Sequence, residues 1–494
     1  MSEVRRDNIT NDHWYNYLQT QGVIVSETEK QTRNKVVDML RNTMVRFQNI
    51  VAKNMYWKRQ DIECILSPFG SFGLGGYIKN DVVELALVCP YQIHRSDFFK
   101  FFPELLKEQS LINNIEPIKK ATVPIIKCVI DRISVNISFI RLKLERVTHR
   151  INFLDNSLLQ DMDDASLATM DGPRLNQFNK SQIKPSNVRL FQVSLQCIKY
   201  WAIQRGLYNA EIGYLNETAC TLLLIKTFMF IQSKEKLSIT IILQNFFQMW
   251  SKWPWKTPVI LTNHIPDKNG NKLEYSSITG SQKAMMPIIS PCYPVYSVTP
   301  YVTKLTQKTI QLEFERGKTV LETESPPLVT INKLFNSINY LSRYKHFISV
   351  VTSSCVLTNH DIWSHNMASY IPKYIELIEK NTNIIMIQPM MNPYKVQIQY
   401  LTSQERINLQ NGLSPQRARV PDEADISNPG ILYLTYYTIC IQIQEQCKEL
   451  DLTKSGKSFL ALLESKKSKA DSDIQWAIVH NNKKEIATLL NMKE

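Results

Sequence analysis

Apolar residues follow two different spacings in the first third of the chain. Through 10–60 they recur every three or four positions, which predicts amphipathic helices. Residues 62–142 instead carry the short runs "VVELALV", "VPIIKCVI" and "RISVNISFI", with a helical pattern near 97–110. Such runs, bounded by turn residues, are typical of strands. This part of the chain is therefore predicted to be an α/β unit.

The remaining chain returns to helical spacing and then mixes both patterns. Apolar periodicity through 187–205 and 217–250 predicts long helices, and a group of prolines marks a boundary near 295. Residues 300–445 alternate helical runs with strand-like runs such as "HFISVV" and "ILYLTYYTICIQI". A Lys- and Ser-rich stretch at 452–472 follows and is predicted to be a linker. The fold class predicted from these patterns is α+β and multidomain.

Charge and cysteine usage narrow the class of protein. The 494 residues contain 58 Lys and Arg against 45 Asp and Glu, a formal net charge of +13. That excess favours an anionic partner such as nucleic acid, although many proteins of this size are basic without one. None of the nine cysteines forms a C-x-x-C pair, which indicates buried thiols rather than zinc ligands or disulfides. No signal peptide or membrane span is recognisable, and a soluble, intracellular protein is expected.

Glycine is scarce in this chain and yet clustered. Only 14 glycines occur, and four of them are Gly70, Gly73, Gly75 and Gly76. A Gly-Ser turn with outward-pointing N–H groups can seat a phosphate. The same residues can also form a simple loop, and the spacing does not match a dinucleotide-binding fingerprint. Residues 70–76 alone leave both interpretations open.

The segment "SPFGSFGLGGYIKNDVVELALVCP" resembles the Gly-Ser motif of eukaryotic nuclear poly(A) polymerases, members of the polymerase-β-like nucleotidyltransferase superfamily. Further blocks resemble that family in the same order along roughly 15–445. They are "IHRSDFF" (93–99), "ATVPIIKCVIDRISVNISFIRL" (121–142), "TMDGPRL" (169–175), "FQVSLQCIKYWAIQRGLY" (191–208), "WSKWPWKTPV" (250–259), "MMPIISPCYP" (285–294) and "RYKHFISV" (343–350).

The resemblance assigns the predicted segments to domains of the family. The expected organisation is as follows: N-terminal helices packing on the central domain (1–60), a nucleotidyltransferase-like domain (61–160), a helical central domain (161–295), an RNA-recognition-like domain (296–450), and a linker with C-terminal helices (451–494). The family uses Mg²⁺ and ATP to add poly(A) to RNA, and its members are nuclear. The resemblance implies a nuclear location here and RNA as a partner, with basic charge lining the RNA cleft.

The residues at the family's catalytic positions depart from its pattern. Two aspartates on one strand and one on its neighbour fall on Val82, Glu84 and Asn136 in this chain. Valine cannot bind Mg²⁺, and an asparagine oxygen is a weaker ligand than a carboxylate. Asp81 is a possible substitute, but strand alternation points it away from Glu84 unless a bulge turns it inward. No complete metal site is therefore expected, and Glu84 is its one retained acid.

The nucleotide-binding positions are retained only in part. By resemblance, Gly70, Ser71, Tyr208 and Arg174 keep the phosphate turn, the aromatic position and the basic residue. The family's phosphate-contacting lysine falls on Ile203, and Lys199 matches a different family lysine. A glycine pair falls on Asn216 and Glu217, and a glutamate at a phosphate turn repels the ligand.

These departures lead to a working hypothesis and an alternative. The hypothesis is a pseudoenzyme that has lost adenylyltransferase activity, needs no cofactor, and serves as an RNA-binding or scaffolding subunit. Its protein partner would be an active polymerase or a 3′-end-processing complex. The alternative is an active template-independent adenylyltransferase that uses ATP and Mg²⁺ at a rearranged site with Asp81 and Glu84. A module that binds only proteins is a third possibility.

Overall fold

A computed structural model gives the fold of the chain. It describes residues 9–54, 63–233, 236–262, 265–267, 271–273, 284–413, 429–447 and 449–490. The helical pattern predicted for 10–60 includes residues 55–60, which lie outside the described part.

The N-terminal domain is built on a five-stranded mixed sheet. Its elements are α1 (Asn11–Thr20), α2 (Glu27–Asn54), β1 (Ile65–Phe69), α3 (Gly70–Leu74), β2 (Val83–Cys89), α4 (Arg95–Lys107), β3 (Ile112–Ile118), β4 (Ile125–Ile130) and β5 (Ile133–Arg141). The strand order is β1-β2-β5-β4-β3. Strands β2 and β5 are parallel, and their register pairs Glu84 with Asn136. Every other neighbouring pair in this sheet is antiparallel.

Both faces of this sheet are covered, which explains why β2 reads as an almost continuous apolar run. Alternate residues such as Val83, Leu85 and Leu87 pack against α2 and α4. Ala86 and Val88 point to the opposite face. By the same alternation, Glu84 shares that second face with them.

The two N-terminal helices pack in different places. Trp14 and Leu18 of α1 belong to the core of the central helices. Helix α2 instead packs on α4, where Phe47 meets Phe102 with ring centroids 5.6 Å apart. The sequence analysis assigned both helices to the central domain, and this is corrected for α2. Its apolar stripe covers the face of β2 that would otherwise be exposed.

The central region is a group of helices. They are α5 (Asp164–Ser181), α6 (Val188–Gln204), α7 (Glu217–Ile231), α8 (Ile239–Lys252), α9 (Lys304–Glu322) and α10 (Pro327–Phe335). Helix α9 was assigned by sequence to the C-terminal domain, beyond a boundary at 295. In the structure its Phe314 stacks on Trp201 of α6, and its Gly317 lies against Phe247 of α8. The apolar stripe of α9 is therefore buried in the helical core.

The C-terminal region is a second sheet with helices. Its elements are α11 (Tyr340–Arg343), β8 (His346–Ser354), α12 (Leu357–Ile378), β9 (Ile384–Pro389), β10 (Tyr394–Tyr400), α13 (Ser403–Gln410), β11 (Gly430–Ile443), α14 (Thr453–Glu464), β12 (Gln475–Asn482) and α15 (Lys483–Leu489). A two-stranded ribbon, β6 (Ile265–Pro266) with β7 (Lys272–Leu273), precedes it in the chain. The sheet order is β10-β11-β8-β12, and β9 also pairs with β11.

The last segment of the chain completes this sheet. It was predicted to contain a linker and helices, whereas the structure has β12 between α14 and α15. Strand β12 pairs with β8 over eight residues, from Gln475 opposite Ser353 to Asn482 opposite His346. The strand was missed because its apolar residues form one short run, Trp476 to Val479, without alternation. Such a run does not distinguish a strand from a helix.

Helices cover both faces of the C-terminal sheet. Ile348 and Ile439 lie in the same core as residues of α12 and α14. Phe347 and Leu434, on the other face, pack with residues of α13 and α15. No helix in the described part of the chain is long and apolar enough to cross a membrane. The predicted α+β multidomain fold class is confirmed.

Candidate functional site

Gly70, the first residue of the glycine cluster, lines a cleft between the N-terminal sheet and the central helices. The cleft has a volume of about 620 Å³ and is lined by residues of β2, β4, β5, α5 and α7. Gly70 follows β1 and has a φ of 63°, a conformation that residues with a Cβ rarely adopt. A Cβ at this position would also collide with the carboxylate of Glu84. The positive φ is the stronger reason for glycine here, because the contacting carboxylate is the far end of a flexible side chain.

The three positions matched to catalytic aspartates all line this cleft. They are Val82, just before β2, Glu84 within β2, and Asn136 opposite Glu84 on β5. The register thus brings Glu84 and Asn136 side by side, as neighbouring ligands of a metal site would be. Glu84 is the single carboxylate among the three.

Asp81 also lines the cleft, but it is bound to other residues. Its carboxylate accepts hydrogen bonds from the backbone N–H of Ile78 (2.8 Å), the hydroxyl of Ser71 (3.1 Å) and the ammonium of Lys199 (2.5 Å). The alternation argument for Asp81 was wrong because β2 begins only at Val83. The preceding turn directs the carboxylate into the cleft without a bulge.

Lys199 and Glu217 complete a buried charged cluster with Asp81. The Lys199 side chain is fully buried, and its ammonium also donates to Glu217 at 2.9 Å. The backbone N–H of Ser71 donates to the other oxygen of Glu217. Burial alone would lower the pKa of Lys199, but the charges of Glu217 and Asp81 raise this pKa. The cluster contains one cation and two carboxylates, so its formal charge is negative.

The charge of this cluster affects Glu84. Burial, reinforced by the nearby Glu217, raises the pKa of Glu84 to about 7. The residues that line the cleft include four acids, Asp81, Glu84, Asp171 and Glu217, and no Lys or Arg. The lining of this cleft is therefore acidic and not basic, and the nearby Lys199 is paired with Asp81 and Glu217. The basic charge expected along the RNA cleft stays a prediction.

Three of the other nucleotide-binding candidates, Arg174, Ile203 and Tyr208, are not among the residues that line the cleft, whereas Asn216 is. Arg174 is buried and donates to the carbonyl of Phe153 at 2.6 Å and to the side chain of Asn156 at 2.6 Å. Its motif lies inside helix α5 rather than in a turn. Arg174 therefore holds the loop before α5.

The remaining candidates surround α6 and α7. Ile203 is partly buried against the central core. Burial and the charges of Glu217, Asp81 and Glu84 raise the pKa of Tyr208, so its phenol lies close to the acids. Asn216 caps α7 and accepts from the N–H of Ala219 at 2.7 Å. The glycine-pair position thus begins a helix here.

Three polar residues of α5 that line the cleft were not predicted from the sequence. Asp171, Asn176 and Asn179 all line the cleft, and each has a buried side-chain oxygen without a hydrogen-bond partner. Burial raises the pKa of Asp171 to about 6, although Tyr296 donates a hydrogen bond to it. Asp171, Asn176 and Asn179 are five and three positions apart and spread over about 140° of the helix circumference, so no regular helical spacing marked them in the sequence.

The residues present do not fit a two-metal site. Such a site needs several carboxylates that bridge two ions. The part of the chain that the structure describes contains no group of three or more His, Cys, Asp or Glu positioned to hold a metal ion. Glu84 has Asn136 and Val82 as its neighbours, and Asp81 is held by Lys199.

The chain is similar to solved structures of a poly(U) polymerase. The Cid1 poly(U) polymerase, solved with Mg and 3′-dATP, has a TM-score of 0.47 and 15% sequence identity. The match covers 66% of this chain and 98% of that chain. A likeness at this level carries no argument about the site.

Comparison by sequence is more informative. The chain matches the poly(A) polymerase nucleotidyltransferase domain over residues 4–177 and the poly(A) polymerase central domain over 190–337. It matches the poly(A) polymerase predicted RNA binding domain over 339–493.

Two curated relatives come from Candida albicans. Poly(A) polymerase PAPa is 28% identical over 399 residues, which are 79% of this chain and 70% of that protein. Poly(A) polymerase PAPalpha is 27% identical over 398 residues, with the same coverage. Three successive domain models and these relatives agree with the resemblance seen in the sequence motifs, and the chain belongs to the poly(A) polymerase family.

Proposed function

We propose that this chain has lost the adenylyltransferase activity of its family and acts as an RNA-binding or scaffolding subunit in RNA 3′-end processing. The observation that carries the proposal is the pairing of Glu84 with Asn136 beside Val82. Mg²⁺ prefers hard, charged oxygen ligands. One carboxylate among these three positions is too few to hold two ions.

The charged cluster supports the same proposal. A triphosphate approaching Ser71 would meet the Glu217 carboxylate, which already accepts from the Ser71 N–H and from Lys199. Like charges at this distance repel each other strongly in a partly buried cleft. Loss of phosphate affinity is thus expected together with loss of metal affinity. No cofactor is required by this function.

A specific observation also favours the alternative, an active adenylyltransferase that uses ATP and Mg²⁺. Asp81 and Glu84 both line the cleft, so two carboxylates are present in it. For a metal to bind there, the carboxylate of Asp81 would have to release Lys199 and bind the ion instead.

Primer extension separates the two functions. The full-length protein is incubated with an oligo(A) primer, ATP and either Mg²⁺ or Mn²⁺. We expect no extension beyond that of a Glu84→Ala variant, because the acids needed to bind two metal ions are absent. Extension that Glu84→Ala abolishes would establish the active alternative. An active family member assayed in parallel is the positive control, because it shows that the primer and ATP support extension under these conditions.

RNA binding is the second part of the proposal. It is supported by the match of residues 339–493 to an RNA-binding domain and by the net charge of +13. Domains of the RNA-recognition type read bases on an exposed sheet face. Since helices cover both faces of this sheet, we expect contacts with the phosphate backbone to dominate.

Such contacts make the affinity depend on salt. With about three phosphates contacted, raising salt from 50 to 200 mM should weaken binding of single-stranded RNA by very roughly 20-fold. Gel shifts of labelled RNA at both salt concentrations measure the effect. RNA binding that is absent or insensitive to salt, together with a stable protein partner in pull-down, would favour a purely protein-binding module. Nuclear residence is proposed from the family resemblance, and microscopy of a tagged protein tests it.

A further inference from the structure

The cleft offers hydrogen-bond acceptors in excess of donors. On α5 the oxygens of Asp171, Asn176 and Asn179 are buried and have no partner among the described residues. Asn176 and Asn179 are 7% and 4% exposed. Leaving a buried acceptor unpaired is unfavourable. Three such atoms along one wall indicate a ligand that donates hydrogen bonds.

The charge of the cleft defines that ligand further. Glu84 and Asp171 add to the negative Asp81–Lys199–Glu217 cluster, and neither Glu84 nor Asp171 has a basic side chain as a salt-bridge partner in the described structure. An anion would be repelled by the ionised carboxylates of this cleft, although Glu84, with a pKa of about 7, is only partly ionised at neutral pH. A cation that carries several N–H donors satisfies both the charges and the unpartnered oxygens.

The shape of the cleft favours an extended molecule over a single ion. Asp171 and Asn179 are eight residues apart on α5, which corresponds to about 12 Å along the helix axis. Apolar side chains, among them Phe69, Leu74 and Leu175, line the cleft between the polar groups. Methylene groups pack on such walls, and ammonium groups bind the oxygens.

We propose that this cleft binds a linear aliphatic polyamine. Its ammonium groups donate to Asp171, Asn179 and the acids near Glu84, and its methylene segments contact the apolar wall. The site would take a polycation at the place where active relatives need an anionic nucleotide. The inference goes beyond the proposed function, because a polyamine can bind whether or not the chain extends RNA.

Calorimetric titration of the full-length protein with spermidine at constant ionic strength tests the proposal. We expect saturable binding of one spermidine per chain. Asp171→Asn and Asn179→Leu should each weaken it at least fivefold, since each removes an acceptor or a charge from the wall. Asp38→Asn, on the exposed face of α2, is the matched control and should leave the affinity unchanged. The unfolding temperature of every variant checks that it is folded.

Several results would overturn the proposal. Heats that do not saturate, or an affinity that neither Asp171→Asn nor Asn179→Leu alters, would mean diffuse attraction to surface acids. Displacement of spermidine by an equal concentration of Mg²⁺ would mean that charge alone is recognised. Because these outcomes do not involve primer extension, they are distinguishable from failure of the proposed function.

Discussion

Replacing Glu313 by alanine is expected to lower the free energy of unfolding by about 3–5 kcal/mol, the usual effect of breaking a buried ion pair. Glu313 lies on α9, and its carboxylate accepts from Arg205 at 2.8 Å and from Arg316 at 2.7 Å. Arg343, from α11 at the start of the C-terminal region, donates to its other oxygen. Glu313 is 1% exposed. Its removal leaves three guanidinium groups near one another without their common anion.

The same cluster predicts how stability depends on pH. Burial would raise the pKa of Glu313. Hydrogen bonds from Arg205 and the charges of Arg205 and Arg316 instead hold this pKa at about 2, below its ordinary 4.5. The folded protein therefore keeps this carboxylate ionised where the unfolded chain is protonated. Its contribution is present in full above pH 4.5 and is lost as pH falls toward 2. The loss amounts to about 3 kcal/mol.

Urea unfolding followed by tryptophan fluorescence measures both effects, since Trp201 and Trp255 stack on Phe314 in the same core. The difference between the wild type and Glu313→Gln should shrink as pH falls from 5 to 3. Glu315→Ala, two residues further on and 49% exposed at its side chain, is the control and should change stability by less than about 0.5 kcal/mol. Equal effects of Glu313→Ala and Glu315→Ala would contradict the assigned role.

Replacing Lys199 by methionine is expected to cost about 2–4 kcal/mol of unfolding free energy. The reason is that Asp81 and Glu217 would lose their shared cation. Their side chains are 17% and 28% exposed, so water would compensate only in part. Methionine fills much of the same volume, which separates the loss of charge from the creation of a cavity.

A triple variant tests the electrostatic explanation directly. Lys199→Met combined with Asp81→Asn and Glu217→Gln should recover most of the lost stability, because no unpaired carboxylate remains in the cluster. Lys373→Met, which breaks an exposed ion pair with Glu376 on α12, is the control and should cost at most about 1 kcal/mol. A triple variant as unstable as Lys199→Met would show that packing, and not charge, explains the loss.

Much of the fold could be predicted from apolar spacing, and the exceptions have physical causes. Strand β12 was missed because its short apolar run, Trp476 to Val479, fits a helix as well as a strand. Its pairing with β8 makes it a strand. Helix α9 was assigned to the wrong unit because an apolar stripe shows that a helix packs, without showing against which core. Helix α2 was assigned to the wrong unit for the same reason.

The sequence by itself determined the family and the identity of the residues at its catalytic positions. Glu84, Val82 and Asn136 could be assessed from the sequence because the residue type alone decides whether a side chain offers a charged oxygen to a metal ion. Tertiary structure alone decided which charges meet in the cleft. Lys199 lies 118 positions from Asp81 in the chain, and yet their side chains form an ion pair. Spacing along the chain does not give the distance between elements. The hydrogen bond from Ser71 to Glu217 and the unpartnered oxygens of α5 therefore became visible only once the helices were packed on the sheet.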